Sequence, residues 1–231
     1  MLDVKDLTLK YGQSQILNGI NLTAQKGQIT AVMGTNGVGK TSLLKAIAGR
    51  HPFASGTISL DNVPLEKHTA VNAARAGIAY VPQGREVFPM MTVTENLETG
   101  FACLDGGGHS IPDHIYDLFP VLRDMSGRRG GDLSGGQQQQ LAIARALITK
   151  PSVLLLDEPT EGIQPNIIKH IGEVIETLRD QGEIAIVLVE QFFDFAFDLG
   201  DRFVTMSRGS VTLDALSADV ERQQLLDLVS V

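Results

Sequence analysis

The 231-residue chain contains a single cysteine, Cys103, so neither an internal disulfide nor a thiolate zinc site can form within it. That fits a reducing compartment. Positive charge is also scarce: 19 lysines and arginines stand against 27 aspartates and glutamates, a net charge of -8. Such a balance disfavours nonspecific nucleic-acid binding as the main role. No apolar run approaches the ~20 residues that span a bilayer. The opening MLDVKDLTLKYG lacks a positively charged region followed by an apolar stretch, so no signal peptide is expected. Internal repeats are absent, and the run Gln137 to Gln140 is too short to count as low complexity. What is present is 43% hydrophobic and 20% charged residue, ordinary for a soluble globular protein and enough for one α/β domain with a sizeable core.

Leu2, Val4, Leu7 and Leu9 alternate loosely with polar residues, as a half-buried strand does. Residues 16–32 add strand-like pieces broken by Asn18-Gly19 and Lys26-Gly27, both read as turns. The apolar run Gln28 to Met33 leads into a glycine loop and then a helix-like stretch, Thr41 to Ala48, closed by Gly49. Residues 78–81, 153–156 and 184–189 read as buried strands, the last stopping abruptly at Glu190-Gln191. Between the last two, Ile167, Ile168, Ile171, Val174, Ile175 and Leu178 recur at helical spacing before Gly182. Strand, helix, strand in that order implies a parallel sheet with right-handed crossovers. Residues 84–150 are mostly helical pattern, interrupted by LDGGGHSIP and SGRRGGD, and read as a helical insert between sheet strands.

GTNGVGKT matches G-x-x-x-x-G-K-[ST] between a strand and a helix, the context that such a loop requires. Gly34, Thr35, Asn36, Gly37, Val38 and Gly39 are expected to turn backbone N–H groups around phosphate oxygens, with Ser42 opening the helix beyond. Lys40 is expected to reach the β- and γ-phosphates, and the Thr41 hydroxyl to ligate Mg²⁺. VLLLDEP ends a buried strand on two adjacent carboxylates that point different ways, so they can play different roles. Asp157 is assigned to Mg²⁺ through water and Glu158 to polarising the attacking water. In LSGGQQQQLAIARAL, Ser134, Gly135, Gly136 and Gln137 make a glycine-rich mouth at a helix N-terminus, a second anion site. One chain does not need two phosphate cradles; two chains arranged head to tail do.

LSGGQ directly upstream of VLLLDEP, in the same order as the other motifs, resembles the ATP-binding subunits of ABC transporters over residues 2–215. The resemblance implies an α/β P-loop fold with a parallel core sheet, an N-terminal antiparallel β part and a helical subdomain insert, the whole being a single ABC ATPase domain over 1–231. It implies ATP and Mg²⁺ as ligands, and a second ATP-binding subunit, identical or paralogous. It also implies two transmembrane permease subunits, an indirect substrate-binding protein, and a peripheral place on the cytoplasmic face of the membrane. No nucleic-acid partner is implied. Position by position, Tyr11 resembles the aromatic that stacks on adenine, and Gln83 the glutamine that senses Mg²⁺ and the attacking water. Glu161 to Gln164 occupies the loop that crosses to the partner, but EGIQ replaces the usual Ser-Ala-Leu-Asp. Gln191 falls where most relatives carry a histidine contacting the γ-phosphate, and no histidine follows His170. An amide there either donates to phosphate or merely caps the strand, and Glu190 is read as a supporting or surface group.

YVPQGREVFPMMTVTENL and DEPTEGIQP, with glutamine at 191, resemble the amide and hydrophobic amino-acid uptake branch, most of all the second ATPase subunit of urea importers. The alternative is the branched-chain amino-acid importer ATPase, where PEGR is expected in place of PQGR; a soluble non-transport ABC ATPase is a further one. A kinase or GTPase would share the glycine loop without needing LSGGQ, and no Asn-Lys-x-Asp guanine motif is present. Val87, Phe88, Pro89, Met90 and Met91 are read either as an exposed contact for the membrane partner or as core of the insert.

Overall fold

The structure, a computed structural model, describes residues 1–66 and 68–229. Residue 231, the expected C-terminal limit of a single domain, lies outside them. From the N-terminus the chain runs β1 (Leu2–Tyr11), β2 (Ser14–Ala24), β3 (Gln28–Met33), α1 (Lys40–Ile47), β4 (Ser55–Leu60), β5 (Val63–Pro64), α2 (Ala70–Arg75) and β6 (Ile78–Val81). Four helices follow: α3 (Val93–Glu98), α4 (Asp113–Leu118), α5 (Pro120–Asp124) and α6 (Gly135–Ile148). The remainder is β7 (Val153–Asp157), α7 (Pro165–Asp180), β8 (Ala185–Glu190), α8 (Phe193–Leu199), β9 (Arg202–Ser207), β10 (Ser210–Leu216) and α9 (Arg222–Val229).

The strands form an antiparallel sheet, β2-β1-β4-β5, and a second sheet ordered β10-β9-β3-β8-β7-β6. In the second sheet, β9, β3, β8, β7 and β6 are parallel and only β10 joins antiparallel. Both faces of the parallel strands are covered, which is why they read as unbroken apolar runs. Val153, Leu155, Ala185, Val187 and Val189 pack with α1 and the antiparallel sheet. Leu154, Leu156, Ile186 and Leu188 pack against α6, α7 and the rest of the helical layer. Between β6 and β7 the chain is helical at α3 to α6, but residues 84–92 form an irregular loop. Buried Asn96 organises that loop: its side-chain amide donates to the Phe88, Met91 and Thr92 carbonyls and accepts the Phe88 N–H.

Asn18-Gly19, expected as a turn, instead lies inside β2. Gly19 takes φ +69° beside an irregular part of β1, where Asp6 has φ +48° and register shifts between Val4 and Leu7. The Asp6 N–H donates to the Asn21 side chain at 3.1 Å. A bulge absorbs the positive φ without ending the pairing, so the dipeptide bends the strand but does not reverse it.

Everything after Gln191 carried no element assignment from the sequence. Here α8 and α9 pack a small third core against β3, with Ala31, Met33, Ala196, Phe203, Val220 and Leu225 buried together. Phe193 and Phe197 stack in parallel, and the Arg222 guanidinium lies over both rings, 5.0 and 5.2 Å from their centroids. This cluster fixes α8, which begins two residues after Gln191.

Candidate functional site

Register levels the ends of three parallel strands. Met33 pairs with Glu190, and Asp157 pairs with Val189, so β3, β7 and β8 finish side by side. Gly34, Glu158 and Gln191 are each the next residue, at the carboxyl edge where open parallel sheets bind ligands.

Gly34 has φ +148°, and a Cβ there would stand 2.3 Å from the Met206 carbonyl oxygen, so any side chain would push the loop off β9. Lys40 opens α1 and is 4% exposed; its ammonium donates to the Gly34 carbonyl at 2.7 Å and the Thr35 carbonyl at 3.0 Å. Burial lowers its pKa, with Glu158, Asp157 and Glu190 opposing that shift. Its third N–H has no protein acceptor among the described residues, which suits an anion in the loop. Val38 anchors the loop from below. It is buried in the core between the sheets, and its carbonyl accepts the Gly209 N–H at 3.1 Å.

Asp157 is 1% exposed and held at both oxygens: Thr41 Oγ1 donates to Oδ1 at 3.1 Å and Tyr80 Oη to Oδ2 at 2.8 Å. Burial raises the carboxyl pKa, and the two hydroxyl bonds work against that. Burial, then the adjacent Asp157 charge, likewise pushes the Tyr80 phenol up, so it remains a donor. Tyr80 was not singled out in the sequence. The available signal was a phenol inside a buried strand, which needs a polar partner.

Glu158 follows in a left-handed conformation, φ +48°, and its N–H donates to the Val189 carbonyl at 2.9 Å. Its carboxylate is gripped by two amides: Gln191 Nε2 donates to Oε1 at 2.6 Å and Gln83 Nε2 to Oε2 at 3.1 Å. Three segments remote in sequence therefore converge on one carboxylate.

Glu190 is not a surface group. It is 2% exposed, and Oε1 accepts from Thr160 N (3.0 Å) and Thr160 Oγ1 (2.7 Å). Oε2 accepts the N–H groups of Gln191 (2.9 Å) and Phe192 (3.1 Å). Burial raises its pKa while these four donors lower it, the burial effect being larger. Glu190 thus ties the turn after Glu158 to the backbone that carries Gln191. The strand pattern placed Glu190 at a boundary but could not say what lay opposite it.

A cavity of 720 Å³ is lined by Tyr11, Asn36, Gly37, Gly39, Lys40, Thr41 and Ser42 on one side and by Gln83, Glu158 and Gln191 on the other. Gly34 and Thr35 line a smaller one of 230 Å³ with Asn36, Glu190 and Gln191. Tyr11 is exposed at the rim, edge-on to His51 with centroids 4.4 Å apart, and Ser42 Oγ meets its hydroxyl at 3.5 Å. Among the described residues no cluster of three or more His, Cys, Asp or Glu is arranged to hold a metal. Thr41 and Asp157 nevertheless suit Mg²⁺, which keeps few protein ligands and binds mainly through substrate phosphates.

Ser134, Gly135, Gly136 and Gln137 line neither cavity. They start α6 with a reciprocal cap: Gln137 N–H donates to Ser134 Oγ at 3.3 Å, and the Ser134 N–H to Gln137 Oε1 at 2.9 Å. Ser134 and the loop residues Glu161 and Gly162 are exposed. Of the apolar run at 87–91, Phe88 is 46% and Met90 72% exposed, while Val87 packs against the helical core.

Residues 17–161 match the family described as ABC transporter. Over 214 residues the chain is 39% identical to the high-affinity branched-chain amino acid transport ATP-binding protein BraG of Pseudomonas aeruginosa, covering 92% of this chain and 91% of that one. It is 36% identical over 223 residues to the probable branched-chain amino acid transport ATP-binding protein LivF of Archaeoglobus fulgidus, covering 95% and 94%. Among solved structures it is similar to a dimeric ATP-binding cassette in a post-hydrolysis state with ADP and Pi, at TM-score 0.84 and 25% identity over 94% of this chain and 99% of that one. A nucleotide-free cassette from an ABC transporter shares the fold, with TM-score 0.84 over 100% of this chain and 95% of that one.

Proposed function

The chain belongs to the ABC transporter family as an ATP-hydrolysing subunit, and on that premise we propose that it powers a branched-chain amino-acid importer. BraG and LivF, similar over nearly their full lengths, support that substrate class. The catalytic part rests on one observation: the Glu158 carboxylate lines the same cavity as Lys40 and Thr41, with both oxygens held by the Gln83 and Gln191 amides.

The Gly34–Thr41 loop and Lys40 hold the phosphates of ATP, and Tyr11 stacks on the adenine. Thr41 Oγ1 and Asp157 would hold Mg²⁺, which would neutralise phosphate charge there. Gln83 and Gln191 orient the Glu158 carboxylate and then turn their amides to the attacking water and the γ-phosphate oxygens. Glu158 takes the water proton as the water oxygen bonds to phosphorus and the bond to the ADP oxygen breaks. A second chain, arranged head to tail, presents its Ser134–Gln137 mouth to these phosphates. Two such sites closing together drive a pair of permease subunits at the cytoplasmic membrane face, which receive substrate from a binding protein. The whole chain acts as a single ATPase domain in this scheme.

The test is Glu158→Gln. It should retain ATP binding, lose turnover and accumulate a two-chain species on size exclusion; fast turnover would remove Glu158 from this role. The urea reading is favoured by Gln83-Gly84-Arg85 in the PQGR segment, whereas the relatives named above do not support it. Uptake of labelled leucine against labelled urea by vesicles carrying the whole transporter separates the two.

A further inference from the structure

Arg85 belongs to the PQGR segment, yet the hydrolysis scheme leaves it without a task. Its backbone is left-handed, φ +62°, followed by Glu86 at φ +48°, two consecutive non-glycine residues in that region. Its guanidinium has no carboxylate partner among the described residues. Nε is buried without a hydrogen-bond acceptor, and Nη2 donates to the Glu161 carbonyl at 2.9 Å. An unpaired, partly buried guanidinium in a strained turn is costly, so what it touches is informative.

It touches the start of α6. A Cβ at Gly135 would stand 3.0 Å from Arg85 Nη1 and 3.3 Å from both Cζ and Nη2. These distances place the guanidinium in the direction a Gly135 side chain would take, a broad planar contact that a compact ammonium does not reproduce. Farther along α6, Arg145 Nη2 donates to the Glu86 carbonyl at 2.8 Å and meets the Arg85 carbonyl at 3.4 Å. The turn carrying Gln83 is therefore fastened to α6 at two points, and through Arg85 also to the turn three residues after Glu158.

We propose that Arg85 is a positioning residue that locks the Ser134–Gln137 mouth to the Gln83 and Glu161 turns of the same chain, so that these pieces move as one body when two chains close. This rests on the two-chain reading above. A methyl group at Gly135 would stand 3.0 Å from Nη1, so the guanidinium would have to move by a few tenths of an ångström to admit it.

Three measurements on the full-length chain test it: fluorescent ADP binding, steady-state ATPase, and ATP-dependent dimer formation in the Glu158→Gln background. Arg85→Ala should leave ADP affinity within about twofold, lower kcat about tenfold or more with little change in KM, and reduce the dimer fraction. Arg85→Lys should recover only part of kcat, because it can reach the Glu161 carbonyl but cannot cover Gly135. Unchanged kcat and dimer yield in Arg85→Ala would overturn the proposal. So would ADP binding that falls in step with kcat in both variants, since that marks general damage to the fold. If Glu158→Gln alone forms no dimer with ATP, the two-chain reading is what fails, and the split between kcat and KM then decides the role of Arg85.

Discussion

Replacing Glu190 by glutamine changes one oxygen for an NH₂ group and leaves size and shape almost constant. The environment allows neither orientation of the new amide. One oxygen position faces the Thr160 N–H and hydroxyl, and the other faces the Gln191 and Phe192 N–H groups. Whichever way the amide turns, its NH₂ meets two donors. Two hydrogen bonds to a charged acceptor, at about 1.5–3 kcal/mol each, are lost, a gross cost of about 3–6 kcal/mol. Relief of a desolvated charge offsets part of this, leaving an expected loss of about 2–4 kcal/mol. For a chain of this length that corresponds to a fall in Tm of roughly 5–15 °C.

The pH dependence has a definite sign. Burial raises the Glu190 pKa above its ordinary 4.5, so the folded chain holds this proton more tightly than the unfolded chain. The contribution of Glu190 to stability is then largest below that ordinary value and declines as pH rises through the raised one. Glu190→Gln should flatten this decline. Urea unfolding of the nucleotide-free chain at a series of pH values measures both effects. A variant within about 0.5 kcal/mol of the parent, with the same pH slope, would refute the claim that these four donors hold a buried carboxylate.

Lys40→Ala removes the ammonium seated on the Gly34 and Thr35 carbonyls and should abolish detectable ATP binding; near-normal ATPase would end the assignment of the loop to phosphate. Gln191→Ala leaves Glu158 Oε1 without its 2.6 Å donor and should slow hydrolysis with little change in ATP affinity, whereas unchanged kcat would make Gln191 only a strand cap. Tyr80→Phe frees Asp157 Oδ2 while keeping the ring, and should weaken the extra ADP affinity conferred by Mg²⁺, measured by calorimetry with and without chelator. Equal Mg²⁺ dependence in the two proteins would show that the phenol does not orient Asp157.

The parallel strands were legible because burial on both faces writes unbroken apolar runs, as in Ala185–Val189 and Val153–Leu156. The loop from Gly34 to Thr41 was legible because its glycines and Lys40 are adjacent in the chain. The segment after Gln191 was not legible. Its aromatic residues are explained only by long-range contacts: Phe193 and Phe197 stack on each other beneath Arg222, and Phe203 stacks on Phe197. Asn18-Gly19 misled for a related reason, since a positive φ suits a turn and a bulge equally and only the partner strand decides between them.

What the sequence determined by itself was each short-range arrangement: the phosphate loop, the carboxylate pair at a strand end, and the glycine-rich start of α6. These depend on backbone conformation and neighbouring side chains, which spacing encodes directly. Only the tertiary structure decided which remote residues meet. It brought Gln83 and Gln191 to the two oxygens of Glu158, Tyr80 to Asp157, Thr160 to Glu190, and Arg85 to Gly135. Those meetings depend on strand order and on the level ends of β3, β7 and β8, which are settled by how the sheets and helices pack together.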